Sequence, residues 1–135
     1  MRSAFRRVRE LSWRERLVLP QLIAFALIVR VLLFLRPISI HATRRFAPIG
    51  AGLAEPQRLA RLCELAAAVG PRDGRCFVSS VLLFHVLKRR GEDAAFCLGI
   101  RNGDARFPAH AWVERHGLPM DGTNIAEFAT LTRWT

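Results

Sequence analysis

Lysine is almost missing from this chain. Of its 21 basic residues, 20 are arginine and Lys88 is the single lysine. Cysteine is scarce as well. Three cysteines, an odd number, do not make the even framework of a secreted disulfide scaffold and point to a reducing, cytoplasmic setting. They are scattered, with no CxxC pair and no HxxxH, so the ligand spacing of a zinc site is absent. The nine glycines form no phosphate-cradling loop, so no nucleotide or other cofactor is expected in this chain. There is no internal repeat and no low-complexity tract. The one long apolar run lacks a small-residue cleavage site of the A-x-A kind, which argues against a signal peptide.

What is present is one domain's worth of chain. Its 135 residues are 51% apolar, enough to bury a core without disulfide or metal staples. The net charge of +10 invites a nucleic-acid reading, but its distribution argues otherwise. Residues 1–45 carry ten Arg against two Glu, a net of +8, while residues 46–135 carry a net of only +2. A nucleic-acid domain carries its cations on a face of the folded body, interleaved with aromatics. Neither that pattern nor a zinc-finger or helix-turn-helix motif is visible. The chain therefore divides by composition into a basic, apolar arm with its linker (1–54) and a nearly balanced body (55–135).

The arm contains a 19-residue apolar run, Leu17–Leu35. Length alone permits a membrane span. Pro20, Gln21 and Arg30 weaken that reading, and Arg residues flank both ends, so no orientation follows from charge. The favoured reading is a helix from near Pro20 to Pro37, packed in the body or on a partner. A peripheral membrane helix and a true span stand as alternatives.

In the body, Leu59, Leu62, Leu65, Ala66 and Val69 recur at spacings of three and four, which predicts a helix over 55–69. A second helix runs from Arg75 or Cys76 to Arg90, apolar around most of its circumference and therefore buried. Gly91 supplies its stop. Two strands follow, Ala94–Arg101 and Phe107–Arg115, joined through Asn102-Gly103. His116-Gly117 is a second turn, and Leu118–Thr123 is a third, short strand. Residues 126–135 are expected to be a short helix or coil packing Phe128 and Trp134. The architecture is α+β: a buried helix on a small antiparallel meander.

This topology gathers three side chains. Cys76 opens the buried helix, where the partial positive charge favours a thiolate. The first strand returns toward that helix end, and His110 starts the next one there. A two-residue turn at His116-Gly117 sets His110 opposite Thr123 and makes Asp121 its diagonal neighbour. Cys76, His110 and Asp121 then supply nucleophile, base and orienter for acyl transfer. Blander readings exist for each. A cysteine on an apolar helix is usually core, as expected for Cys63 and Cys97, and Asp121 after a turn fits simple turn chemistry. Trp112 reads as core. His41, His85 and His116 show no evident partner.

The run CFVSSVLLFHVLKRRGEDAAFCLGIRNGDARFPAHAWVERHGLPMDGT, from Cys76, resembles the transglutaminase-like cysteine proteases of lasso-peptide biosynthesis. It is similar to the stand-alone protease half of the split B protein, and to the C-terminal domain of the microcin-processing B protein. A Cys opening a Leu/Val-rich helix, Gly91, the Gly-Ile-Arg strand end, His110-Ala111-Trp112-Val113-Glu114, Gly117 and Asp121 carry the likeness. It covers about residues 55–125, more weakly the arm. Phe77-Val78-Ser79-Ser80 departs from the family's usual Leu, basic residue and Ser.

The resemblance implies a papain-like core and a Cys76–His110–Asp121 peptidase that removes the leader from a ribosomally made precursor. It implies a separate leader-recognition protein, since residues 1–54 leave no room for that domain, and a separate ATP-dependent cyclase. The arm's charge would serve docking to partners, an acidic leader or a membrane face. Another acyl-transfer enzyme on the same fold (an amidase or an amine-joining transglutaminase) and a non-enzymatic scaffold are the competing readings.

Overall fold

The computed structural model describes residues 9–35, 43–48, 55–103 and 109–135. Among them are three α-helices of more than one turn: α1 (Trp13–Leu35), α2 (Pro56–Ala67) and α3 (Arg75–Arg89). Four strands follow, β1 (Ala94–Arg101), β2 (Ala109–Arg115), β3 (Leu118–Pro119) and β4 (Phe128–Trp134). They form one sheet in the order β3-β2-β1-β4, with every neighbouring pair antiparallel. The α+β arrangement expected from the sequence is the one observed.

α1 begins at Trp13 rather than near Pro20. A capping box explains the earlier start. The Ser12 hydroxyl accepts the Glu15 N–H at 3.3 Å, and the Glu15 carboxylate accepts the Ser12 N–H at 2.7 Å, satisfying two amides that a helix start leaves unpaired. Pro20 sits inside the helix on an exposed position, where it removes one ladder bond without entering the core. The expected stop at Pro37 lies outside the described residues. Val18, Leu22, Phe25, Ala26 and Val29 are fully buried, and α1 packs against both α2 and α3. Arm and body, distinct in composition, share one hydrophobic core.

α2 takes Pro56 at its first turn, where the missing N–H costs nothing. It ends at Ala67, so Val69, expected on its buried face, lies past the helix and is 41% exposed. α3 is buried along almost its whole length between the other helices and the sheet. At its end the Glu92 N–H reaches the Leu87 carbonyl and the Gly91 N–H reaches Lys88. That is a Schellman stop, with Gly91 at φ +75°. His85 has a partner after all: its Nε2 lies 2.6 Å from the Thr43 hydroxyl in the core. His41 lies outside the described residues.

In the sheet, Arg115 pairs with Leu118 across His116 and Gly117, both at positive φ, as a type I′ hairpin requires. The third strand is shorter than expected. After the Met120 N–H bonds the Val113 carbonyl at 2.9 Å, the chain turns off the ladder. The Asp121 carboxylate takes the Thr123 N–H at 3.0 Å, a local bond that competes with further pairing. The tail is a strand, not helix or coil. Its aromatic and β-branched residues fall at every second position (Phe128, Thr130, Thr132, Trp134) and suit the free edge of β1, so the sheet is a meander closed by a returning strand. Residues 107–108 of the expected second strand lie outside the described residues.

One register shift in the β1–β4 pair, between Leu98 and Gly99, matters for the site. Thr130 pairs with Gly99 and Thr132 with Leu98, so Leu131 is the extra residue of a bulge. Before it, Phe128 joins a small second core of Ala95, Cys97 and Trp112. After it, Trp134 packs on Phe96 in the main core.

Candidate active site

Cys76 is the second residue of α3. Gly74, at φ +73°, turns the chain sharply into the helix, so the thiol sits where backbone N–H groups lack intrahelical acceptors. The His110 imidazole bonds the thiol and lowers its pKa. Partial burial opposes this, and the Ala111 and Phe77 N–H groups add to the lowering. The other cysteines behave oppositely. Burial pushes Cys97 up to about 11 and raises Cys63 further still. All three are free thiols, but only Cys76 has surroundings that lower its pKa.

His110 is the second residue of β2, paired with Gly99. Its Nε2 lies 3.1 Å from Asp121 Oδ2 and 3.0 Å from Thr123 Oγ1, which leaves Nδ1 for the thiol. Asp121 and then Cys76 raise its pKa to about 9, against the opposing effect of burial. Burial would raise the Asp121 pKa, but bonds from His110 and Thr123 outweigh it and hold the carboxyl below its usual value. All three shifts favour the charged forms: thiolate, imidazolium and carboxylate.

Three supports hold this geometry. The Thr123 hydroxyl donates to Asp121 Oδ1 at 2.5 Å, fixing the carboxylate through the oxygen that does not face His110 Nε2. The Ser80 hydroxyl donates to the Ala111 carbonyl at 3.1 Å and ties α3 to β2. Beneath the imidazole lies Trp112, stacked at 6.1 Å and 17°, with the Phe128 ring at 5.4 Å. Trp112 is fully buried, as expected, and its indole N–H donates to Glu114 at 3.2 Å. Gly99 leaves the room: a Cβ there would stand 2.8 Å from the Trp112 ring and 3.0 Å from the Ala129 carbonyl.

Sequence reasoning missed Thr123 and Ser80 as supports. The Asp-Gly-Thr spacing after the turn carried the signal for the first; nothing in the sequence marked the second.

A cleft of about 440 Å³ opens on Cys76, His110 and Asp121. Leu65, Leu83, Val113 and Met120 supply apolar lining, and Arg61, Glu64 and Arg75 supply charge. Leu11 and Glu15 from the start of α1 also line it. Glu15 is buried and ion-paired with Arg58 of α2, and that partner keeps its pKa low despite burial. Among the described residues no cluster of three His, Cys, Asp or Glu side chains could hold a metal ion.

The family model for the transglutaminase-like superfamily matches residues 19–133. The chain belongs to that superfamily. The match begins within α1 and ends within β4, so it takes in Cys76, His110 and Asp121. Neither the curated proteins nor the solved structures gave a match. The transglutaminase-like superfamily includes cysteine peptidases and acyltransferases. Both chemistries pass through a thioester on a cysteine made nucleophilic by a histidine, which is what a Cys76–His110 pair can form.

Proposed function

We propose that this protein is a cysteine peptidase that removes the leader from a ribosomally made lasso-peptide precursor. It acts with a separate leader-recognition protein, and a separate ATP-dependent cyclase then closes the freed core. The observation that carries the peptidase reading is the bonded series Cys76–His110–Asp121 at the mouth of the cleft. The narrower reading of the substrate rests on the resemblance of residues 76–123.

The Cys76 thiolate attacks the carbonyl at the leader–core junction. The Cys76 N–H lies in the first turn of α3, where the helix offers it no acceptor, and is a donor available to the oxyanion. The tetrahedral adduct collapses as imidazolium His110 gives its proton to the leaving amine of the core. The leader remains as a thioester on Cys76. Neutral His110 then takes a proton from water, whose oxygen attacks the thioester. Collapse releases the leader carboxylate and restores the thiolate–imidazolium pair. Asp121 holds the imidazole orientation throughout and stabilises its charged form.

The test is mass spectrometry of a precursor incubated with this protein and its recognition partner. Free leader and free core, both lost in Cys76→Ala, are the expected products. An amine-adducted or crosslinked product without free leader would assign the site to amine joining instead. Unchanged cleavage by Cys76→Ala would remove the catalytic role.

A further inference from the structure

α1 is long and apolar enough, by length and composition, to cross a membrane. Its two faces differ sharply in what they touch. One face is buried against α2 and α3. The other is open: Leu17, Leu27, Val31 and Leu35 are exposed, and Phe34 is 90% exposed. From residue 17 to 35 every exposed position is apolar except Gln21. The stripe is about 27 Å long at the helical rise.

The run's one charge does not interrupt this stripe. Arg30 donates to the Ala67 carbonyl at 2.9 Å and the Pro71 carbonyl at 3.1 Å, so its guanidinium is committed to the protein's own backbone. A shallow apolar groove of about 420 Å³ runs along α1 between Arg16 and Leu27. At the helix start the exposed Trp13 has the Arg14 guanidinium over its ring at 5.3 Å. The arm carries a net of +8 over residues 1–45.

Single exposed apolar residues are ordinary, but a continuous stripe marks an interaction face. Here arginine and tryptophan stand at its start. Arginine pairs with lipid phosphate, tryptophan settles at the headgroup level, and leucine and phenylalanine enter the acyl layer. Spanning is a different matter. It would strip Val18, Leu22, Phe25 and Val29 from the core and pull Arg30 from its carbonyls. We infer that α1 docks flat on an anionic lipid surface, immersed by its outer face only, while its inner face stays in the fold. In ordinary amphipathic surface helices a polar face looks toward water; in this one the body of the protein takes that place.

Vesicle sedimentation of the full chain tests this independently of the peptidase reading. The vesicles are phosphatidylcholine alone, or phosphatidylcholine with phosphatidylglycerol. Expected is pelleting with the anionic vesicles that weakens at high salt, and at least tenfold weaker binding by Leu27→Glu/Phe34→Glu. Phe34→Ser, at the most exposed position, weakens binding without risk to the fold. Arg14→Gln/Arg16→Gln lowers the preference for the anionic vesicles. Three results would overturn the inference: no pelleting with anionic vesicles at low salt, equal pelleting with both compositions, or resistance of the cellular protein to alkaline carbonate extraction. The first would leave the stripe to a protein partner, and the last would mean a span.

Discussion

Cys76 is one of three thiols, and its surroundings oppose those of the other two. Cys63 and Cys97 are buried where a thiolate is penalised. Cys76 faces an imidazolium that Asp121 keeps protonated up to about pH 9. Iodoacetamide at neutral pH should therefore alkylate Cys76 alone in the folded protein, as read by peptide mapping. In Asp121→Asn the His110 pKa falls toward the ordinary imidazole value, so the imidazolium is lost at lower pH and the thiolate loses its partner. Alkylation of Cys76 at pH 7 should slow in that variant, and the alkaline limb of kcat/KM should move down from near pH 9. Thr123→Val should shift the same limb in the same direction by less, since it loosens the carboxylate without removing it. Gly99→Ala is the complementary case. The methyl has no space beside Trp112, so we expect a loss of about 1–3 kcal/mol in urea unfolding. Activity should fall as well, because the ring it displaces underlies His110.

The elements were legible in the sequence to different degrees. β1 emerged with its observed ends because Gly91 and Asn102-Gly103 punctuate it on both sides. The register that brings Asp121 toward His110 followed from one turn, since a two-residue loop leaves one pairing. The start of α1 was read from Pro20 when the capping box at Ser12 and Glu15 decided it; a proline within an exposed helical stretch weakens a helix without beginning it. The last strand went unread because its partner, β1, lies far back in the chain, and no local signal announces a long-range pairing. Arg30 belongs to this scale. It looked like a flaw in an apolar run, yet it closes the end of α2 and the loop before Cys76. Arg30→Met should leave those carbonyls without a donor and cost about 1–3 kcal/mol by thermal or urea unfolding. It should also lower kcat more than it changes KM, because that loop sets where α3 begins.

At the scale of the molecule, one main core joins the arm to the body. A division at residue 54 was visible as a change of charge and composition, but shared packing leaves no trace in composition. A truncated chain beginning at residue 55 should therefore expose the faces of α2 and α3 that α1 covers. We expect it to aggregate or to lose cooperative thermal unfolding, checked by circular dichroism and light scattering. A cooperative transition like that of the full chain would show that the arm adds surface and not stability. The grouping of Cys76, His110 and Asp121 was traceable because it rests on topology and turn length. Its supports at Thr123, Ser80 and Phe128 were not, because each depends on a contact that only the completed sheet makes.

Phe128 and Trp134 are six residues apart, an even number, and a regular strand would point both to the same side of the sheet. The bulge at Leu131 changes that count by one. One short strand thereby serves two masters: its first aromatic ring steadies the imidazole, and its last is welded to Phe96. The strand thus links the packing around Phe96 to the ring that lies against His110. How firmly the far end of that strand is gripped therefore bears on how firmly Phe128 is held against His110.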